Sequence, residues 1–385
     1  MALRPIERFL QLESASGIIL FIMAVLAILW ANSPLAFIHE RFVNALLFVT
    51  NDGLMAVFFV AVGLELKRGF LEGQLSHYSQ IILPLMAAVG GMMMPALLYL
   101  CINRQSPATI QGWATPVATD IAFALGVLSL FGKRVPSALK MFLLALAIFD
   151  DLGAIIIIGL FYTSGIAFQY LVLSAVVILA LLFLNYRSVQ SLKPYLVLGV
   201  LLWLCILKAG IHPTIAGVLF ALTVPDIPLT QRSPLNRLEN ALHPWVAYLI
   251  MPLFALTDAG FSLHELSLEN MSSVVVAGIV WGLFAGKQIG VFGFSWVLIK
   301  LGVAKLPRNA SWLSFYGVAV LCGIGFTMSL FLGTLSFQND HTYLAEVRLG
   351  VMIASILSGL VGAIILLVAF IKDGTNVHDG GIIVD

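Results

Sequence analysis

The chain has 385 residues, 61% of them hydrophobic and only 10% charged, with a net charge of +1. A soluble domain carries about 25% charged residues, so this composition excludes an ordinary soluble enzyme, and the lack of a basic tract excludes a nucleic-acid partner. Cys101, Cys205 and Cys322 stand in apolar surroundings without metal-ligand or paired spacing, which excludes a disulfide framework and a zinc site.

Apolar runs able to cross ~30 Å of hydrocarbon recur along the chain, separated by short polar or Gly/Pro-bearing links. In order they predict spans at 14–31, 47–68, 80–101, 110–131, 137–162, 168–186, 194–208, 210–224, 236–258, 274–299, 312–335 and 347–371. The expected fold is an all-α integral membrane protein with about twelve transmembrane helices, or eleven if the seventh and eighth runs are one. Arg4 and Arg8 before the first run resemble a signal peptide, but the run also serves as a first span. A single polytopic domain is placed at 1–372, and the polar, Gly-containing residues 373–385 form a cytoplasmic tail.

Lysine and arginine orient the chain. With the N-terminus in the cytoplasm, 15 basic residues fall on the cytoplasmic side, Lys67, Arg68, Lys133, Arg134 and Lys193 among them. Only Arg41, Arg104, Lys208 and Arg348 fall outside, and both termini are cytoplasmic. Two spans carry marks of interruption: the fourth holds Thr115, Pro116, Thr119 and Asp120, and the eleventh holds Gly323-Ile324-Gly325-Phe326-Thr327. Proline removes a backbone donor and paired glycines loosen a helix. Broken backbone at membrane depth survives where it lines a cavity or is buried in protein, and one broken span per half marks the binding site of an inverted-repeat transporter. The repeats are expected at about 80–162 and 274–371.

Asp120, Asp150, Asp151 and Lys287 lie inside apolar spans. Ionisable groups at that depth are costly and mark ion or proton handling. Neighbours on a helix diverge by roughly 100°, so Asp150 and Asp151 cannot both aim at one ion. One is free to face a cavity while the other pairs, with Lys287 as candidate partner. Asp120, from the interrupted fourth span, is a candidate to complete a two-carboxylate site for Na⁺ with Asp151, Thr119 adding a neutral oxygen. Carboxylates crowded in a low-dielectric cavity hold protons, and a hard cation binds their oxygens only once the proton has left. Such mutual exclusion is what a cation/proton exchanger requires. Lys287 is expected to clamp Asp150 or to release its own proton during the cycle. The alternative is a buried polar network that only fixes helix packing.

Long stretches resemble the NhaA family of bacterial Na⁺/H⁺ antiporters: Val62-Gly63-Leu64-Glu65-Leu66-Lys67-Arg68, Ala118-Thr119-Asp120-Ile121-Ala122-Phe123-Ala124-Leu125-Gly126, Ala147-Ile148-Phe149-Asp150-Asp151-Leu152-Gly153-Ala154, His243-Pro244-Trp245 and Cys322-Gly323-Ile324-Gly325-Phe326-Thr327-Met328-Ser329. The resemblance implies an inverted-repeat fold with the fourth and eleventh helices unwound and crossed. It implies Asp120 and Asp151 as cation and proton carboxylates, Thr119 lining the site, and Asp150 paired with Lys287. Pro116, Gly323 and Gly325 fall at the interruptions. It further implies electrogenic, pH-regulated exchange of Na⁺ or Li⁺ against H⁺ across the inner membrane, with lipid as surroundings and no cofactor.

Glu65, Arg68, Glu239 and His243 match the region with which the family senses pH; solvated helix ends are an equal expectation. Gly69 and Asn240 stand where the family often has an acid and a histidine, which puts the pH profile in doubt. His212 reads as a structural histidine, and Asp258, where the family more usually has Asn, as a solvated helix end near the outer face, with a carboxylate that tunes cation access as the alternative. Gln288 replaces a proline expected after Lys287. The stretch 32–49 reads as a short loop without the β-hairpin through which family dimers pair, which leaves a homodimer open. A K⁺/H⁺ exchanger or a Na⁺-coupled organic-anion symporter of the same fold are the alternatives in transport. An intramembrane metal-dependent enzyme is the alternative outside it, but none of its motifs explains Lys287.

Overall fold

The computed structural model describes residues 15–71, 78–163, 165–226, 233–261, 273–337 and 340–379. Arg4, Arg8, Arg232 and the tail beyond Asp379 lie outside the described residues, as do the expectations attached to them. The described residues are helical, without a strand. In chain order the helices are α1 (Ala15–Ala31), α2 (Ala36–Phe48), α3 (Met55–Leu71), α4 (Tyr78–Asn103), the short α5 (Pro107–Ile110), α6 (Ile121–Ser129), α7 (Ser137–Phe161), α8 (Phe168–Tyr186), α9 (Leu192–Lys208), α10 (Thr214–Thr223), α11 (Pro234–Trp245) and α12 (Met251–Asp258). They continue with α13 (Val274–Trp281), α14 (Phe294–Lys300), α15 (Trp312–Leu321), α16 (Phe326–Ser336) and α17 (His341–Asp379). Among the described residues, 6 helices are long and apolar enough to cross a membrane. The pair α15 and α16 passes the same test as a span bent by 40°. This is a multi-pass membrane protein.

Wide π-helical turns join several pieces into longer rods. Val49–Leu54 links α2 to α3, Val246–Ile250 links α11 to α12, and Gly282–Gly286 with Gln288–Gly293 link α13 to α14. The last two flank Lys287. The first corrects the sequence reading, because most of the stretch taken as a loop at 32–49 is helix α2. Its His39, Glu40 and Arg41 interrupt the apolar pattern, so hydropathy alone does not mark it.

The chain forms two compact units. One comprises Met1–Ile22, Tyr78–Asp150 and Phe261–Asp385. In it α4 runs against the π-helical turns around Lys287, and Gly90 facing Gly290 is what allows this, since a Cβ on either would overlap the other's backbone; a Cβ on Gly91 would lie 2.9 Å from Val291 and 3.8 Å from Lys287 Nζ. Helix α17 packs against α13, α15 and α16.

The other unit comprises Met23–His77 and Asp151–Gly260. Its core is built from Leu64, Val177, Leu181, Leu202, Ile206 and Phe220, all buried. Burying an aliphatic or aromatic side chain of this kind is worth roughly 1.5–3 kcal/mol. A cleft of about 420 Å³ between α3, α9, α10 and α11 is lined by apolar residues, including Val57, Val60, Val200 and Phe220, and offers no carboxylate to an ion. The boundary between the units passes between Asp150 and Asp151 within α7.

Candidate ion-binding site

Around Asp120 two helices are interrupted. The fourth span enters as α5 and a 3₁₀ turn, Gln111–Ala114, then loses helical form until α6 starts at Ile121. Pro116 lies in this gap and is fully consistent with a broken ladder, since it has no N–H to give. The eleventh span stops at Leu321 and resumes at Phe326. Gly323 and Gly325 lie in that gap, as the sequence predicts.

The two gaps are tied to each other. Asp120 N–H donates to the Ile324 carbonyl at 2.7 Å, and the Thr119 hydroxyl reaches the Cys322 carbonyl at 2.9 Å. Asp120 is the N-cap of α6, its Oδ1 accepting from Phe123 N–H at 3.0 Å. Its Oδ2 accepts from Thr327 N–H at 3.1 Å and from the Thr327 hydroxyl at 2.5 Å. One carboxylate therefore faces the starts of both α6 and α16. Each helix start carries partial positive charge, which favours an anion there. Thr327, which the sequence reading placed in the break without giving it a role, supplies both a backbone and a hydroxyl donor to this carboxylate.

Asp150 and Lys287 are both fully buried, and Lys287 Nζ donates to Asp150 Oδ2 at 2.6 Å. The Thr119 hydroxyl lies 2.7 Å from the same oxygen. Thr119 has one proton and two acceptors, Asp150 Oδ2 and the Cys322 carbonyl, so it satisfies one fully at a time. Asp150 Oδ1 is buried and has no hydrogen-bond partner among the described residues. Thr119, Asp150 and Lys287 thus form one hydrogen-bonded group inside an apolar unit, and Asp120 adjoins it as the residue after Thr119. Asp151, also fully buried, is the next residue of α7 and the first of the other unit.

The residues expected to sense pH fall in the other unit. Arg68 on α3 pairs with Glu239 on α11 at 3.1 Å; Arg68 is 40% exposed and Glu239 14%. A pair this open contributes about 0–1 kcal/mol. His243 lies one turn beyond Glu239 and is exposed, while Glu65 is half-buried on α3. Lys67, beside Arg68, does something the sequence did not announce. Its ammonium donates to the carbonyls of Leu222 at 2.7 Å and Val224 at 2.6 Å, closing the C-terminus of α10.

His212 sits in the link between α9 and α10, with Nδ1 2.8 Å from the Thr214 hydroxyl. Burial holds its imidazole down to about 4, so its Nε2, 4.0 Å from Asp52 Oδ1, makes a neutral contact near pH 7. Asp258 corrects an expectation. It is not a solvated helix end but 2% exposed, accepting from the Thr257 hydroxyl at 2.8 Å. The residue two positions on, Gly260, packs against the His39 ring, which closes that end of α12 from water.

A family model described as Na⁺/H⁺ antiporter 1 matches residues 7–366 of the chain. The chain belongs to this family. It is therefore a transporter, not an enzyme. Relatives are similar over nearly their full length. The Na⁺/H⁺ antiporter NhaA 1 of Syntrophotalea carbinolica is 50% identical, with 95% of this chain and 96% of the relative covered. The Na⁺/H⁺ antiporter NhaA of Nitrobacter hamburgensis is 51% identical, covering 94% and 92%. That of Yersinia pseudotuberculosis is 49% identical, covering 93% and 94%.

Proposed function

We propose that the protein is an electrogenic, pH-regulated Na⁺(Li⁺)/H⁺ antiporter of the bacterial inner membrane, with about twelve spans and both termini cytoplasmic. Family membership and the curated relatives, each called a Na⁺/H⁺ antiporter, support the exchange reaction. The observation that carries the mechanism is the polar group itself. A carboxylate at two helix starts is joined through Thr119 to a fully buried Asp150–Lys287 pair. In this reading Asp120 and Asp151 are the carboxylates that take either Na⁺ or protons, and Thr119 contributes a neutral oxygen. Asp150 and Lys287 balance the charge of the loaded and unloaded states, and Lys287 can itself carry a proton. The breaks at Pro116, Gly323 and Gly325 belong to a crossed helix pair at the membrane midplane. Glu65, Arg68, Glu239 and His243 act at the cytoplasmic mouth.

More protons entering than Na⁺ leaving makes the cycle electrogenic, so the membrane potential drives sodium out. The test is proton movement in everted vesicles from a host without its own antiporters. With the lumen acidified by respiration, Na⁺ or Li⁺ should dissipate the gradient and K⁺ should not. Silence with all three cations at every pH, with the protein present in the membrane, would refute exchange.

A further inference from the structure

Helix α16 begins without a cap of its own. Its N-cap residue is Gly325, which has no side chain to accept a hydrogen bond. A helix start nevertheless leaves its first N–H groups without intrahelical partners, and at membrane depth bulk water does not supply them. Two of these donors are met from other elements. Thr327 N–H goes to Asp120, and Phe326 N–H goes to the hydroxyl oxygen of Ser355 at 3.2 Å.

Ser355 lies on α17, and it is buried. Ser358, one turn on along the same face, is fully buried beside Gly323. A Cβ at position 323 would overlap the Ser358 hydroxyl and lie 2.7 Å from the Leu283 carbonyl. Some hydroxyls of α16 turn back on their own helix, as Thr334 does on the Leu330 carbonyl and Ser336 on that of Leu332. Ser355 does not: it reaches across to the start of another helix. The break is thus held on one side by residues 118–120 and on the other by α17.

We propose that Ser355 is a positioning residue for ion exchange. By accepting the Phe326 N–H it keeps that donor away from Asp120 and sets where α16 presents Thr327 to the carboxylate. Without it, the freed N–H is left beside that of Thr327, which already reaches Asp120, and competes for the carboxylate's oxygens with a cation. This inference rests on the reading of Asp120 as an ion-binding residue.

The experiment is Na⁺-dependent exchange in everted vesicles, with KM, maximal rate and pH profile read separately. Ser355→Ala should raise the apparent KM for Na⁺ about tenfold, the scale of losing a helix cap, with the maximal rate little changed. It should also displace the pH profile. Ser355→Thr, which keeps the hydroxyl, should restore both. Thr334→Ala, which removes an intrahelical bond of α16 to the Leu330 carbonyl, should change neither. Should Ser355→Ala fail to reach the membrane, Ser355→Cys, close in volume and a poor acceptor, decides instead. An unchanged KM and pH profile in the decisive variant overturns the proposal. Asp120→Asn runs alongside: normal exchange there would sink the underlying site, whereas its loss beside a normal Ser355→Ala would sink only the present inference.

Discussion

Replacing Asp150 by Asn takes away the charge 2.6 Å from the Lys287 ammonium while leaving that ammonium fully buried. Breaking a buried ion pair from one side typically costs about 3–5 kcal/mol, because the surviving charge keeps its desolvation penalty and loses its partner. Thr119 offers only a neutral oxygen nearby, and Gly91 leaves no side chain that could turn towards Nζ. The cost should therefore lie within that range, and the apparent melting temperature in detergent should fall by roughly 4–6 °C. Neutralising both partners, Asp150→Asn with Lys287→Gln, removes the penalty along with the attraction and should recover most of the loss. The measurement is a thermal-unfolding cycle of the unsubstituted protein, both single variants and the double, at one pH and salt. A melting temperature within about 1 °C for Asp150→Asn, or a double variant as unstable as the sum of the singles, would refute the argument.

Three further outcomes follow from the same geometry. Thr119→Val keeps the shape but loses the hydroxyl shared between Asp150 and the Cys322 carbonyl. It should weaken Na⁺ about five- to tenfold, while Thr119→Ser stays near normal, as read from apparent KM. Gly323→Ala forces a methyl onto the Ser358 hydroxyl and the Leu283 carbonyl; it should destabilise by about 1–3 kcal/mol and slow exchange, checked by melting and vesicle assays. For His212, burial places the folded imidazole at about 4 against an ordinary 6.5. Between these values the unfolded chain binds the extra proton, so stability falls as pH drops from 6.5 towards 4, by about 3 kcal/mol in full. His212→Gln should blunt the loss of melting temperature between pH 7.5 and 4.5 and leave the alkaline side untouched. Identical pH dependence with and without the histidine would contradict this.

Much of the polar centre is legible in the sequence because charge is rare in it. Asp120, Asp150 and Lys287 stand out against apolar runs, and Pro116 and the two glycines mark where the backbone breaks; helix geometry says only that one of Asp150 and Asp151 is free to pair with Lys287, and the choice of Asp150 comes from the family resemblance. What is not legible lies where residue type does not reveal direction. Ser355 and Thr327 look like any hydroxyl residue in a span, where bonding to the i−4 carbonyl is the ordinary outcome. Their signal is indirect: a glycine as N-cap means that the cap must come from elsewhere. Asp258 reads as a solvated end because it closes an apolar run, whereas the helix end beside it is covered from far away in sequence, as by His39 against Gly260. Helix α2 is missed because Glu40 and Arg41 lower its hydropathy while their exposure lets it remain helical.

Competition between cation and proton is the central claim, and proton release on cation binding tests it without any membrane gradient. Purified protein in detergent and a weak buffer, at a pH where the site is partly protonated, receives Na⁺ while a dye reports free protons. The account predicts a saturable burst of protons from the unsubstituted protein, the same with Li⁺, none with K⁺, and none from Asp120→Asn or Asp151→Asn. Saturable Na⁺ binding by calorimetry with no proton released would contradict exchange at a shared site and point to cotransport.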